Sequence, residues 1–435
     1  MKRVFLAVVI LTVSFVVAKT AQADAGLLGQ NVQVLDASLN MRRSTTEQID
    51  PIRGQSVLMR PRPDFDPVPI PVGSFQLFPA INVGTYYDSN IFALQNNEER
   101  DLVWKINPTM SFLSNWGRHA LGFTGLADID YYTVDDKQNY AGGAMQAEGR
   151  YDISEQMWLS GVGGYQRVTE LKGSPADQGN AAGPSQYDLY SAGAQFYRGV
   201  GLLKTTVNYN FGYYEYSPVE IIGGGTASQS ARDRTQNKVD GEVRYDVTEN
   251  LKPFIRGAYN WRDYTTTSSH SSNGYNIDVG AAMDFGGITT AEAYIGYMSQ
   301  DYYNFMSGVV DAIDFGGNLL WNVTPLTSVE FRARRSIEET TVGSASSFLA
   351  SEGQMILSHE LRRDIVLQSR VIYDGLDYNE IERHDDLYDV GVGARYYMNR
   401  NFYGDFTYDF QRRTTDAAGL NYDRHIAFLR FGAQY

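Results

Sequence analysis

The sequence predicts an all-β fold: a transmembrane antiparallel up-and-down β-barrel of about 18 strands (16–18), preceded by a Pro-rich extended N-terminal segment. Long segments alternate apolar and polar residues, short and long connections take turns along the chain, and the first residues are typical of an exported protein. We therefore expect a signal peptide at 1–23, a Pro-rich segment at 24–72 that lies in the periplasm or is tucked into the lumen, and an outer-membrane barrel at 73–435.

The first residues are typical of a secretory signal peptide. The basic start Met1–Arg3 precedes the mostly apolar run Val4–Ala18, and Ala21 and Ala23 place small residues where signal peptidase needs them. The alternative is an uncleaved anchor, but a run of about 15 apolar residues is short of the roughly 20 that a spanning helix requires. We expect the mature chain to begin near Asp24.

Proline marks the segment that follows. Seven of the 13 prolines lie between Pro51 and Pro79. Because proline fixes φ and donates no backbone hydrogen bond, this part of the chain is expected to be extended and to stay outside the sheet.

From residue 74 onward, long stretches alternate with period two, which is the pattern of a β-strand with two different faces. In Arg234–Val247, Val239, Val243 and Tyr245 share one face, while charged residues occupy the other. Strands of a soluble sandwich are commonly about five or six residues long, whereas these are long enough to cross a bilayer at a tilt of about 45°. A solenoid would show a fixed short repeat, and we find none in the sequence.

Short turns alternate with longer polar links, as periplasmic turns and external loops do in outer-membrane barrels. The pattern predicts 18 strands near 74–87, 101–114, 119–133, 138–153, 157–169, 186–198, 202–216, 232–247, 251–264, 273–285, 288–302, 308–322, 326–338, 348–361, 365–378, 384–398, 402–414 and 421–435. In the last strand Leu429, Phe431 and terminal Tyr435 share one face. This aromatic end is similar to the signal that the barrel-assembly machinery recognises, so we expect that machinery as a partner.

Composition narrows the possible functions. Tyrosine (31), phenylalanine (21) and tryptophan (5) are abundant enough for the aromatic girdles of a membrane barrel. Without cysteine there is no disulfide or thiol chemistry. The net charge of −14 becomes −17 once the three cations of the signal peptide, Lys2, Arg3 and Lys19, are removed. This acidity argues against nucleic acid as a partner, because phosphate binding needs clustered cations.

The predicted lumen face is the candidate functional surface. The 19 charged residues expected to line the pore are Arg234, Lys238, Asp240, Glu242, Arg244, Arg256, Arg262, Glu330, Arg332, Arg334, Arg370, Asp374, Asp389, Arg395, Asp405, Asp409, Arg413, Arg424 and Arg430. Such charges either pair across strands and hold a wet interior, or form a transverse field that orders water and slows ions. Four inward tyrosines could also offer flat faces to sugar rings: Tyr264, Tyr397, Tyr403 and Tyr422.

Signatures of catalysis and of metal binding are incomplete. His359-Glu360 begins like a zinc-protease helix, but the fifth position is arginine and the context is a strand end. The five histidines are scattered, and none is paired at metal-ligand spacing. His384, Asp385 and Asp386 at one rim could be arranged as a hydrolytic site, although charged rim loops are far commoner. We therefore expect no enzyme activity, no metal and no cofactor.

Three stretches near the start of the barrel resemble a known family. Arg60-Pro61-Arg62-Pro63-Asp64-Phe65-Asp66-Pro67, followed by Gly73–Pro79 and Gly84–Phe92, is similar to the opening of the family described as Putative beta-barrel porin 2. Pro69 stands where relatives carry glycine, which affects only the local turn. The resemblance implies a pore associated with exopolysaccharide or capsule synthesis. It also implies outer-membrane lipid, polysaccharide and periplasmic polysaccharide-export proteins as partners.

Three functions are compatible with these features. The first is a passive conduit for exopolysaccharide or capsular polysaccharide in the outer membrane of a Gram-negative bacterium, with residues 24–72 docking to periplasmic proteins or gating the pore. The second is a general or solute-specific diffusion porin. The third is a structural or adhesive surface barrel, or a rim enzyme. We favour the first because the resemblance implies it. The longest predicted loops, 170–185 and 217–231, are also short for the inward loop that constricts a porin.

Overall fold

Eighteen antiparallel strands form one closed β-barrel in the computed structural model, which describes residues 54–175, 177, 179, 181–266, 270–303 and 308–435. Each strand pairs with its neighbours in sequence. The ring closes where the first strand pairs with the last, from Ala80 opposite Gln434 to Asp88 opposite Ile426. The predicted fold class and the count of 18 strands are confirmed. The predicted signal peptide lies outside the described residues.

We number the barrel strands β1 to β18. Their bounds are Phe75–Asp88, Asp101–Ser114, Ala120–Tyr132, Tyr140–Ser154, Met157–Glu170, Ser185–Val200, Leu203–Tyr216, Arg234–Tyr245, Leu251–Tyr264, Ser272–Phe285, Thr289–Tyr302, Val309–Thr324, Thr327–Glu339, Ser347–Arg362, Ile365–Tyr378, His384–Tyr397, Phe402–Thr415 and Tyr422–Gln434. Each predicted strand boundary lies within two residues of the observed one. The agreement is close because the alternation of apolar and polar residues ends where the turn residues begin.

Alternation separates the two faces of the wall. In β8 the side chains of Val239, Val243 and Tyr245 are exposed on the outer surface, where lipid would contact them. Lys238 and Glu242 lie on the opposite face, toward the lumen. Every barrel strand pairs with a neighbour on each side along at least half of its length, so the sheet closes into a ring. Closure matters in a membrane, where an unpaired backbone group costs several kcal/mol.

The two ends of the barrel differ in the length of their connections. Short turns and both ends of the barrel chain lie at one end, and the longer links lie at the other. In outer-membrane barrels the short turns are periplasmic and the long loops external, and we use those terms below. Among the described residues no helix is long and apolar enough to span a membrane.

The Pro-rich segment makes one contact with the sheet that was not expected. Ile70–Val72 forms a short strand that pairs with the start of β1, opposite Phe75–Leu77. Our expectation that the segment stays outside the sheet was therefore wrong for these three residues. Pro71 is tolerated here because it lies at the edge of the sheet.

A tyrosine ring holds three strands together where the barrel closes. Tyr403 of β17 lies opposite Gly432 of β18, which in turn lies opposite Asn82 of β1. The ring covers Gly432, and its hydroxyl donates to Asn82 Oδ1 at 2.6 Å. A Cβ on Gly432 would lie 2.2 Å from the ring. Two other in-register pairs place an aromatic ring over a glycine in this way: Phe254 over Gly280 and Tyr294 over Gly316.

We predict that Gly432→Ala destabilises the barrel by about 1–3 kcal/mol, because the new methyl group displaces the Tyr403 ring from Asn82. The measurement is the urea concentration at the midpoint of unfolding. The folded fraction at each urea concentration is read from the heat-modifiable mobility of the barrel on a gel. Gly404→Ala is the control, since a Cβ there meets its nearest neighbour at 3.6 Å, an ordinary contact. Equal midpoints for the two variants would contradict the closure role.

Candidate functional site

The lumen wall is the candidate functional surface. All 19 charged residues predicted there lie on barrel strands, on the face opposite the exposed apolar side chains. Cross-strand registers bring most of them beside a residue of opposite charge. That they line a conducting pore stays a prediction.

On one side of the barrel, arginine and aspartate alternate across neighbouring strands. Arg395 of β16, Asp405 of β17 and Arg430 of β18 lie opposite one another in register. The Asp405 carboxylate accepts hydrogen bonds from Arg395 Nε at 2.7 Å and from Arg430 Nε at 2.8 Å, and only 2% of the residue is exposed. Three more arginines of this wall meet aspartates: Arg370 meets Asp389 and Asp409, Arg413 meets Asp385, and Arg424 meets Asp88.

Four charges on β8, β9 and β11 form a second network, which water reaches. Glu242 and Glu292 each contact both Arg244 and Arg256, at N–O distances of 2.8 to 3.1 Å. The four side chains remain 17% to 27% exposed. Their charges cancel, and their exposure makes them available to a solute inside the lumen.

Glu292 was missing from the predicted set. Its strand, β11, carries Ala291 and Ala293 where larger apolar residues would mark the lipid-facing side, so the alternation there is weak. Counting in twos back from Tyr302 along β11 would have placed Glu292 on the lumen face.

The remaining predicted charges have mixed surroundings. Arg234 is buried beneath tyrosine rings, with its guanidinium carbon 4.2 Å from the centre of the Tyr214 ring. Other contacts are ion pairs or amide contacts: Arg262 with Glu339, Arg334 with Glu352, and Asp240 with Asn208.

The link between β5 and β6 folds inward at the external mouth of the barrel. Leu171 of this link packs in a buried cluster with lumen-facing Tyr86 and Phe428. The Gly173 carbonyl accepts from the Tyr422 hydroxyl of β18 at 3.5 Å, across four intervening strands. We expected the links at 170–185 and 217–231 to be too short to constrict a pore. The link at 170–185 nevertheless folds inward and is held by the lumen wall, whereas constriction of the pore by either link stays a prediction.

The Pro-rich segment lines part of the periplasmic mouth. Residues 54–66 run along the rim from the β10–β11 turn to the end of β18, since Gly54 N donates to Gly287 O at 3.1 Å and Gln434 Nε2 donates to Phe65 O at 3.1 Å. Val57 is fully buried. The segment was predicted to lie in the periplasm or in the lumen, and its described part lies where the two meet.

Two arginines of the family motif attach this segment to the rim. Arg60 donates to the carbonyl of Pro325 and to Asn322 Oδ1. Arg62 is buried and pairs with Glu360 at 3.3 Å. The other motif residues, Pro61, Pro63, Asp64, Asp66 and Pro67, shape the turn that follows. Burial raises the pKa of the Asp66 carboxyl above its ordinary value, against the hydrogen bond that it accepts from Arg62 N at 2.6 Å.

The rim histidine is held between two carboxylates. His384 Nδ1 lies 2.6 Å from Asp377 and Nε2 lies 3.1 Å from Asp386, so both ring nitrogens are occupied. Asp385 is bound instead by Arg383 and Arg413. Within the described part of the chain, no three potential ligands are grouped to hold a metal.

A closed barrel with an apolar outer surface and a charged lumen defines the class of outer-membrane porin-like proteins. The family model described as Putative beta-barrel porin 2 matches residues 62–435, and the chain belongs to that family. Its location is therefore the outer membrane of a Gram-negative bacterium, in contact with lipid. Comparison with curated proteins finds no match.

Several solved structures are similar to this chain. OpdL of Pseudomonas aeruginosa is 10% identical, with a TM-score of 0.44 over 84% of this chain and 99% of that one. OccAB3 of Acinetobacter baumannii is 10% identical, with a TM-score of 0.46 over 84% and 100%. OpdK of P. aeruginosa, whose structure was also determined with vanillate, is 11% identical, with a TM-score of 0.45 over 82% and 99%.

We predict that Asp405→Asn lowers the free energy of unfolding by about 3–5 kcal/mol, because it leaves Arg395 and Arg430 buried beside a neutral amide. Asp423→Asn is the control: its partner Arg412 is half exposed, and loss of an exposed pair costs about 1 kcal/mol or less. Urea unfolding of both variants in detergent micelles measures the difference. Equal loss in the two variants would show that burial of the Asp405 network does not stabilise the wall.

Proposed function

We propose that this barrel is a passive diffusion channel for small polar solutes and performs no chemistry on them. The observation that carries the proposal is the exposed network of Glu242, Glu292, Arg244 and Arg256, which presents both signs of charge to the lumen. A solute that crosses the lumen exchanges part of its hydration for these donors and acceptors. Weak contacts of this kind slow a solute without trapping it.

Membership in a porin family supports diffusion, and the comparisons give no support to polysaccharide export. The tyrosines expected to contact sugars are engaged in other contacts. The Tyr403 hydroxyl is bound to Asn82, the Tyr264 hydroxyl is bound to Glu339, and the Tyr397 ring packs against Phe65. We therefore favour the diffusion porin over the export conduit that the resemblance implied.

The rim contacts of residues 54–66 favour a second role for the Pro-rich segment, which is to narrow the periplasmic mouth. The segment is tied to several periplasmic turns and to the end of β18, so it is positioned by the barrel itself. Docking of this segment to periplasmic proteins stays a prediction.

We predict that the purified protein conducts ions in planar bilayers and that Glu242→Gln with Glu292→Gln makes it more anion-selective. Arg244 and Arg256 then lack counter-charges. Two unit charges about 4 Å apart in water interact by about 1 kcal/mol, so we expect a roughly fivefold change in the selectivity for anions over cations. The reversal potential under a salt gradient measures it.

The matched control neutralises all four residues, Glu242, Glu292, Arg244 and Arg256, to glutamine. It keeps the net charge of the lumen, so the selectivity should stay near that of the natural protein. A natural protein that carries no current would refute the diffusion channel. An unchanged reversal potential in the double variant would show that permeating ions do not pass the network.

We predict that deletion of residues 24–66, with the signal peptide retained, increases single-channel conductance because the periplasmic mouth widens. Ile70–Val72 is kept so that its pairing with β1 is preserved. Arg62→Gln, which removes one rim contact, should have a smaller effect of the same sign. Unchanged conductance after the deletion would mean that the segment does not limit the pore.

A further inference from the structure

The ladder between β12 and β13 stops halfway across the barrel. Pairing runs from Thr324 opposite Thr327 up to Gly316 opposite Arg334, and no pair follows. Beyond this point the residues of β12 still pair with β11, and those of β13 still pair with β14. Val309–Phe315 and Arg335–Glu339 therefore leave a gap in the external half of the wall, which we call the β12–β13 opening.

The external end of β13 bends into the lumen. By alternation Ile337 and Glu339 should point outward, as Phe331 does, yet both lie on the lumen side. Arg262 and Tyr264 of β9 hold Glu339, the tyrosine hydroxyl at 2.6 Å. These contacts join β9 directly to β13, past the three strands that separate them in the sheet.

A carbonyl released by the opening is satisfied from inside the barrel. Arg262 Nη2 donates to the backbone oxygen of Ile337 at 3.3 Å. An unpaired backbone group in lipid costs several kcal/mol, so this bond reduces the cost of keeping the strands apart. The bend is thus held by specific contacts.

The opening has an apolar lining. Ile337 is buried against Met298 and Val310, which face the lumen. On the outer surface Ile313 and Phe315 are exposed beside the same gap. Because a barrel lumen is usually polar, a buried apolar cluster on the lumen side and exposed apolar side chains on the outer side of the same gap are unusual. Ala312 and Leu349 complete its lining.

The cationic side chain of Arg335 lies at the base of the β12–β13 opening. Arg335 follows Phe331 along the outer face of β13, and its guanidinium carbon lies 5.7 Å from the centre of the Phe315 ring. Its Nε atom is buried without a hydrogen-bond partner, and none of the ion pairs among the described residues includes Arg335. An arginine on the lipid-facing side of a barrel wall is destabilising, so an anionic group bound there would relieve this cost.

We propose that the β12–β13 opening is a lateral binding site for an amphipathic carboxylate. Arg335 binds the carboxylate, and one acyl chain lies beside Ile313 and Phe315 on the outer side of the gap. The buried cluster of Ile337, Met298 and Val310 closes this site toward the lumen. This site is separate from the axial path of polar solutes. The apolar side chains beside the gap favour an acyl chain over a polar solute, and the single cation favours an acid over an alcohol.

The first test uses laurate as the probe, with displacement of a fluorescent fatty-acid analogue from the purified barrel. Arg335→Gln should weaken laurate binding by about tenfold or more, because a hydrogen bond to a charged group contributes about 1.5–3 kcal/mol. Binding of dodecanol should change little. No laurate binding by the natural protein, or equal affinity in the variant, would overturn the proposal.

The second test closes the opening, using the absence of cysteine in the natural chain. Val310→Cys with Ile337→Cys replaces two members of the buried cluster that lie on the facing strands, so a disulfide between them draws β12 and β13 together. Leu319→Cys with Phe331→Cys is the control, since these residues are already paired. The upper disulfide should abolish laurate binding until it is reduced and leave bilayer conductance in place, whereas the lower one should change neither. Laurate bound by the locked barrel would contradict the lateral site, whatever the conductance shows.

Discussion

The need to pair backbone groups in lipid governs this structure. A strand that crosses a membrane has no water to accept its hydrogen bonds, so the sheet must close on itself. Closure joins β1 to β18, the two ends of the barrel chain, and Tyr403 strengthens this junction by reaching over Gly432 to Asn82. Ring closure also encloses a lumen, and the 19 charged side chains predicted for it point inward.

Enclosed charges must then be balanced within the wall. Asp405 lies between two arginines because the registers of β16, β17 and β18 place the three residues side by side. In this buried network the charges are paired with one another. The more exposed network around Glu242 is neutral as well, but water reaches it. The side of the lumen wall around Asp405 is therefore chiefly structural, whereas the side around Glu242 can contact a solute.

Strand positions and the lumen face were predictable because both follow from local alternation, as in Val239 and Glu242 on opposite faces of β8. The inward position of Ile337 and Glu339 was not, since alternation assigns both to the outer face. Their position depends on Arg262, which is distant in sequence. Likewise, the length of the β5–β6 link did not reveal that Leu171 packs on the lumen wall. Contacts between distant segments leave no periodic signal.

The β12–β13 opening is where the pairing constraint is relaxed. Elsewhere a strand gains a partner on each side, whereas Val309–Phe315 has one partner and faces a gap. The energy needed to keep these groups unpaired has to be offset by other contacts. Arg262 provides some of these offsetting contacts, one with the Glu339 carboxylate and one with the backbone carbonyl of Ile337. Because Arg262 acts from the lumen, the same side chain that balances a charge inside the barrel also keeps the wall open toward the membrane.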